Sequence, residues 1–149
     1  MIQQQPKPKN IYLADDDSDD CFLFEEALRE ICTESSLNTA SDGIELMDLL
    51  KKKPYPDVIF LDLNMPRKNG FECLSEIRNL VEYDHIPIII FSTTAQPEAV
   101  NKVYESGANY FVCKPNTYQL LKETIQHTLG INWEERYLEI SKEKFVFQP

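Results

Sequence analysis

Histidine is nearly missing. The 149 residues hold only His85 and His127, both expected to face solvent, so histidine metal sites and Ser/Cys–His triads have little material. Cysteine is sparse and scattered. Cys21, Cys32, Cys73 and Cys113 form no Cys-x-x-Cys pair and have no histidine neighbour, which argues against a zinc module or a disulfide framework. They read as buried thiols in a reducing cytoplasm; Cys113, beside Lys114, could be a redox handle but fits a strand thiol better. Long apolar runs are absent as well, and none approaches the ~20 residues that span a bilayer. The opening MIQQQPKPKN lacks the apolar core of a secretory signal, so residues 1–8 read as a flexible lead. Positive charge is in the minority, with 15 Lys and Arg against 25 Asp and Glu. A net charge of -10 speaks against a nucleic-acid surface and for attraction of cations or basic partner patches.

What is present suits one domain with a real core, since 42% of residues are hydrophobic and 27% charged. Short apolar runs alternate with amphipathic stretches. NIYLA (10–14) reads as a buried strand, followed by a helix capped by Ser18 and reaching about Cys32. SLNTA (36–40) is a weaker strand ended by Ser41-Asp42-Gly43; residues 44–52 are helical and stop before Pro54 and Pro56. DVIFLDL (57–63) is a strand leading through NMPRKNG to a helix of about 70–80. IPIIIFS (86–92) is the most strand-like run, rich in β-branched residues. Pro97 suits the first turn of a helix ending at Gly107; NYFVCK (109–114) is the fifth strand, and Thr117 caps a helix ending near Gly130.

Five all-apolar strands alternating with five helices imply an α/β fold with a doubly wound parallel sheet, both faces covered. Such sheets bind ligands beyond the carboxyl ends of their strands. Those ends carry Asp15 and Asp16, Asp62, Ser92 and Thr93, and Lys114. Asp15, Asp16 and Asp62 can supply the oxygen ligands that Mg2+ prefers, while Lys114 and Ser92 can meet an anion. A cation beside an anion-binding rim suggests phosphoryl transfer to a carboxylate, and Asp62, on a central strand, is the best nucleophile candidate. The crowding in IYLADDDSDD then has a reason. Two carboxylates ~4 Å apart repel by roughly 4 kcal/mol at intermediate dielectric, which a shared cation relieves. Asp17, Asp19 and Asp20 are read as a cap and first-turn acids.

Here the chain resembles the receiver domain of two-component response regulators, the CheY-like fold. The resemblance rests on Asp15-Asp16, the segment DLNMPRKNG around Asp62, Ser92 after IPIIIF, and Lys114-Pro115 after YFVC, and it covers about residues 9–130. The intervals Asp62–Ser92 and Ser92–Lys114, 30 and 22 residues, match the chemotaxis receiver. It implies strand order 2-1-3-4-5 and Asp62 as phosphoacceptor from a histidine kinase or phosphotransfer protein. It further implies Mg2+ held by Asp16 and Asp62, by Asp15 through water and by the Asn64 carbonyl. Ser92 and Lys114 would contact the phosphoryl group, and Lys114–Pro115 would be cis. Phe111 stands at the switch aromatic and would rotate in behind Ser92 on phosphorylation, remodelling the surface of the fourth helix, fifth strand and fifth helix. Asn64 and Thr94 would tune water access to the phosphoaspartate.

The implied protein is a cytoplasmic, single-domain regulator, not an enzyme in its own right, that signals to an unknown downstream protein by contact. Nucleic-acid and membrane partners are not expected. Two rivals stay open: a pseudo-receiver scaffold, and a haloacid-dehalogenase-type phosphatase, which normally has a second acid where this chain has Asn64. The tail over 131–149 is too short and acidic for a DNA-binding output domain. Trp133, Tyr137, Leu138 and Ile140 could form a short helix, and Phe145, Val146 and Phe147 an extended end that packs back on the domain or supports a homodimer or partner contact.

Overall fold

The runs NIYLA, VIFL, IIIFS and YFVC lie side by side as neighbours in one parallel sheet. They are β1 (Asn10–Ala14), β3 (Val58–Leu61), β4 (Ile88–Ser92) and β5 (Tyr110–Cys113), with β2 (Ser36–Ala40) outside β1. The computed structural model describes residues 9–133 and 142–149. The helices are α1 (Ser18–Ile31), α2 (Gly43–Leu50), α3 (Gly70–Arg78), α4 (Pro97–Glu105) and α5 (Tyr118–Leu129). The order is 2-1-3-4-5, as expected, with a sixth strand, β6 (Val146–Phe147), paired parallel to β5.

The central strands β1, β3, β4 and β5 are largely apolar because both faces are covered, whereas β2 at the edge is mostly polar and exposed. Leu61, Ile90 and Phe111 face the cluster shared with α2 and α3, while Phe60, Phe91 and Val112 face α1 and α5. Phe24 of α1 meets Phe60 edge-on at 5.0 Å and Phe91 at 5.9 Å. Burying each such ring contributes roughly 2–3 kcal/mol.

Several boundaries move by a residue or two. Asp17, not Ser18, caps α1: its backbone is extended, and its carboxylate accepts from the N–H groups of Asp19 and Asp20. The helices α2 and α3 stop at Leu50 and Arg78, two residues short of the expected ends. Thr117 caps α5 and Pro97 opens α4, as expected. Gly107 follows α4 with φ of 99°, a left-handed turn that glycine takes without strain. Only Cys73 of the four thiols is buried; Cys21, Cys32 and Cys113 are half-buried because each sits at an element end or outer face.

Of the tail, Trp133 is buried against Tyr110, at 5.7 Å between rings. Tyr137, Leu138 and Ile140 lie outside the described residues. Phe145 is wholly buried, and its carbonyl accepts the N–H of Phe111 at 3.0 Å, so the extended end packs on its own sheet.

Candidate functional site

Register brings the site residues together. Ala14 pairs with Leu61, so Asp15 and Asp62 leave neighbouring strands at the same level, and the Asp62 N–H donates to the Ala14 carbonyl at 2.9 Å. Ser92 pairs with Cys113, and the Lys114 N–H donates to the Ser92 carbonyl at 2.8 Å. Behind Asp62 the chain turns so tightly that a Cβ on Gly70 would lie 2.3 Å from the Asp62 carbonyl oxygen. Only glycine lets α3 begin that close to the strand end. Asn69 and Glu72 form a capping box that fixes this start.

The carboxylates of Asp15, Asp16 and Asp62 each offer an oxygen within 4.8 Å of the others. Into this group reaches Lys114. Its ammonium donates to Asp15 Oδ2 at 2.8 Å, to Asp20 Oδ2 at 2.9 Å and to Asp62 Oδ2 at 3.4 Å. Asp20 is the residue the sequence reading missed, taken only as a first-turn acid. It lies in the first turn of α1, a few residues after Asp15 and Asp16 at the strand end, and that nearness in the chain was the available signal.

Charge follows burial. Asp15 is raised to about 6, first because it is buried, with the Asp62 charge adding and the bonds from Lys114 and the Asp17 N–H opposing. Burial works against the Lys114 ammonium, but hydrogen bonds to Asp15 and Asp20 and the nearby carboxylate charges outweigh it and raise its pKa. Cys21, whose thiol donates to the Asp15 carbonyl, is pushed up to about 11 by burial and by Asp15 and Asp20, so it stays protonated.

The other expected residues divide. Ser92 is buried at the end of β4; Thr93 and Thr94 are exposed in the loop beyond it. Asn64 is exposed, with its N–H 3.4 Å from Asp62 Oδ1. One expectation is corrected. The cis X-Pro bond among the described residues is Lys53–Pro54, and Lys114–Pro115 is trans, the isomer that X-Pro bonds favour by about 0.5–1 kcal/mol. Phe111 is wholly buried, with Phe145 closing over it at 6.4 Å between ring centroids.

Beside the acids lies a shallow cleft lined by Leu23, Lys114, Pro115, Tyr118 and Leu121. Phe22, Leu23 and Tyr118 leave apolar surface exposed near it. Three clustered carboxylates are hard oxygen donors and fit a hard divalent cation.

The pattern known as the response regulator receiver domain matches residues 11–126. The chain belongs to this family. As a receiver it is a component of two-component signalling, a class that works with kinases or phosphotransfer proteins and downstream targets and binds a divalent metal. A chemotaxis protein CheY homolog of Campylobacter jejuni strain 81-176 is 36% identical over 91 residues, which is 61% of this chain and 70% of the relative. The response regulator Rcp1 of Synechocystis sp. PCC 6803 is 30% identical over 132 residues, 85% of this chain and 90% of Rcp1. Among solved structures, the phosphorylated cyanobacterial phytochrome response regulator RcpA superposes with a TM-score of 0.76 at 28% identity, covering 91% of the receiver and 97% of RcpA. The Mn(2+)-bound form of Rcp1 gives 0.73 at 29% identity over 90% and 97%. No helix among the described residues is long and apolar enough to cross a membrane.

Proposed function

We propose that this receiver accepts a phosphoryl group on Asp62, with Mg2+ held by Asp15, Asp16 and Asp62 and by the Asn64 carbonyl. The observation that carries the reading is the cluster of Asp15, Asp16 and Asp62 within 4.8 Å of one another, with the Lys114 ammonium bonded to Asp15 and Asp62. Bound Mg2+ would neutralise charge on the transferring phosphoryl oxygens. A carboxylate oxygen of Asp62 forms the new O–P bond while the bond from phosphorus to the donor histidine nitrogen breaks, its electron pair staying on that nitrogen. The Lys114 ammonium, released from Asp15 and Asp20, turns to the incoming phosphoryl oxygens, and the Ser92 hydroxyl donates to another. Asp20 holds Lys114 in place until then. Thr93, Thr94 and Asn64 border the route by which water reaches the acylphosphate. The exposed Phe22, Leu23 and Tyr118 give a histidine kinase or phosphotransfer protein an apolar footing beside Asp62.

RcpA, similar over most of the chain, has been solved in its phosphorylated form, and Rcp1 with Mn(2+), which supports both the reaction and the ion. The test is intact mass after incubation with acetyl phosphate or phosphoramidate and Mg2+. One phosphoryl adduct is expected in the wild type and none in Asp62→Asn or without Mg2+. Absence of an adduct with either donor would favour a scaffold, and an adduct surviving in the variant would mean that another carboxylate is the acceptor.

A further inference from the structure

An ammonium has three protons to donate, and Lys114 places them on three carboxylates that differ in standing. Asp15 and Asp62 belong to the group of acids, with Asp16, whose oxygens lie within 4.8 Å of one another and suit a divalent cation. Asp20 is not part of that group. Its Oδ2 nevertheless takes the ammonium at 2.9 Å, nearly as close as Asp15 at 2.8 Å and closer than Asp62 at 3.4 Å. It is also the open one of the three, its side chain 35% exposed against 1% for Asp15 and 10% for Asp62.

Both partners of the Asp20–Lys114 pair stand on fixed elements. Asp20 sits in the first turn of α1, where its N–H donates to the Asp17 cap at 3.3 Å. Phe24 anchors that helix against Phe60 and Phe91. Lys114 leaves the end of β5 with its N–H on the Ser92 carbonyl and its ammonium 5.7 Å from the centre of the Phe91 ring. The three oxygens surround one ammonium, so it can lean from one to another without either backbone moving.

A divalent cation changes what this ammonium can keep. The ion claims oxygens of Asp15 and Asp62 and repels a positive charge beside them. The Lys114 side chain is only 11% exposed, so losing both acids would leave it a largely buried charge without a counter-charge, a costly state. Of the three carboxylates that hold it, Asp20 is the one left. We propose that Asp20 is a positioning residue for metal binding: it keeps the Lys114 ammonium paired when a divalent cation takes Asp15 and Asp62, and so tightens the hold on the ion by acting through the lysine. The inference deepens the reading above and rests on it for the ion. The adduct assay judges that reading, whereas a metal titration needs no phosphoryl group, so the two fail separately.

The test is a double-mutant cycle on the full chain, with Mg2+ binding to the metal-free protein read by isothermal titration calorimetry. Asp20→Ala should weaken Mg2+ binding about tenfold, because Lys114 must then either lose its partners or compete with the ion for them. Lys114→Met removes the charge and keeps an unbranched stem. In that background the same Asp20→Ala change should alter affinity by about twofold or less. An equal loss in both backgrounds would make Asp20 only a nearby charge and overturn the proposal. Wild-type affinity in Asp20→Ala, or no Mg2+ binding by the wild type, would overturn it as well. Should Lys114→Met lose its cooperative thermal transition, Asp19→Ala decides. Asp19 is exposed in the same helical turn, and its removal takes away the same charge while leaving the Asp20–Lys114 pair intact. Its Mg2+ affinity should stay within about twofold of wild type, and a loss equal to that of Asp20→Ala ends the proposal.

Discussion

At the amino-terminal end of the strands, Arg78 donates to the carbonyls of Gly107, Tyr83 and Ile86 and to Asn109 Oδ1, at 2.8 to 3.1 Å. At the carboxyl end Lys114 donates to Asp15, Asp20 and Asp62, with Asp16 beside them. Each end thus gathers one cation and several oxygens, and the difference lies in the charge left over. These Arg78 contacts are all to neutral oxygens, and its planar fork braces the loops that lead into β4 and β5. Lys114 meets formal carboxylates that outnumber it, so its end retains negative charge that an incoming divalent ion would balance. A cation among neutral acceptors works as a brace, whereas a cation outnumbered by acids prepares a binding site.

That contrast can be broken at either end. Asp62→Asn has the largest expected effect, complete loss of the phosphoryl adduct with the thermal transition retained. Lys114→Ala should slow adduct formation roughly 100-fold. It should also destabilise the metal-free protein by about 3 kcal/mol, since Asp15 keeps no cation. Millimolar Mg2+ should recover much of that loss in a thermal melt. Arg78→Ala should lower stability by about 2–3 kcal/mol by orphaning several acceptors, with Mg2+ raising its melt no more than it raises wild type and adduct yield per folded molecule unchanged. A larger gain from the ion in Arg78→Ala than in wild type would erase the distinction between the ends. Gly70→Ala should cost about 1–3 kcal/mol and reduce adduct yield together, because the clash falls on the Asp62 carbonyl. Val81→Ser, at an 82% exposed position, should change neither by a measurable amount, within about 0.5 kcal/mol.

Much of this was legible in the chain because the strongest signals are local. IPIIIF, VIFL and YFVC carry no charge and are apolar along their length, the pattern left by a strand buried on both faces. Acids and a lysine at the ends of such strands could then be gathered by the rule for open sheets without knowing a distance. The misses have physical causes too. Asp17 and Ser18 are both competent caps, and the backbone at Asp17, not residue type, decided between them. Asp20 and Arg78 act through side-chain reach across the fold, Asp20 to a residue 94 positions away and Arg78 to one 31 away. A two-residue strand such as β6 has no periodicity to read, and which X-Pro bond is cis depends on tertiary context rather than on the dipeptide.

The sheet has two outer margins, and they are finished differently. On one side β2 presents Ser36, Asn38 and Thr39, exposed and polar, a poor template for another chain. On the other side the bare margin would be Tyr110-Phe111-Val112-Cys113, a β-prone run without charge, and β6 lies across it. The last few residues therefore also act as a guard against self-association. Molecules that lose them would be expected to precipitate or form fibrils at concentrations where the intact chain stays dispersed, even while the rest of the sheet is still folded.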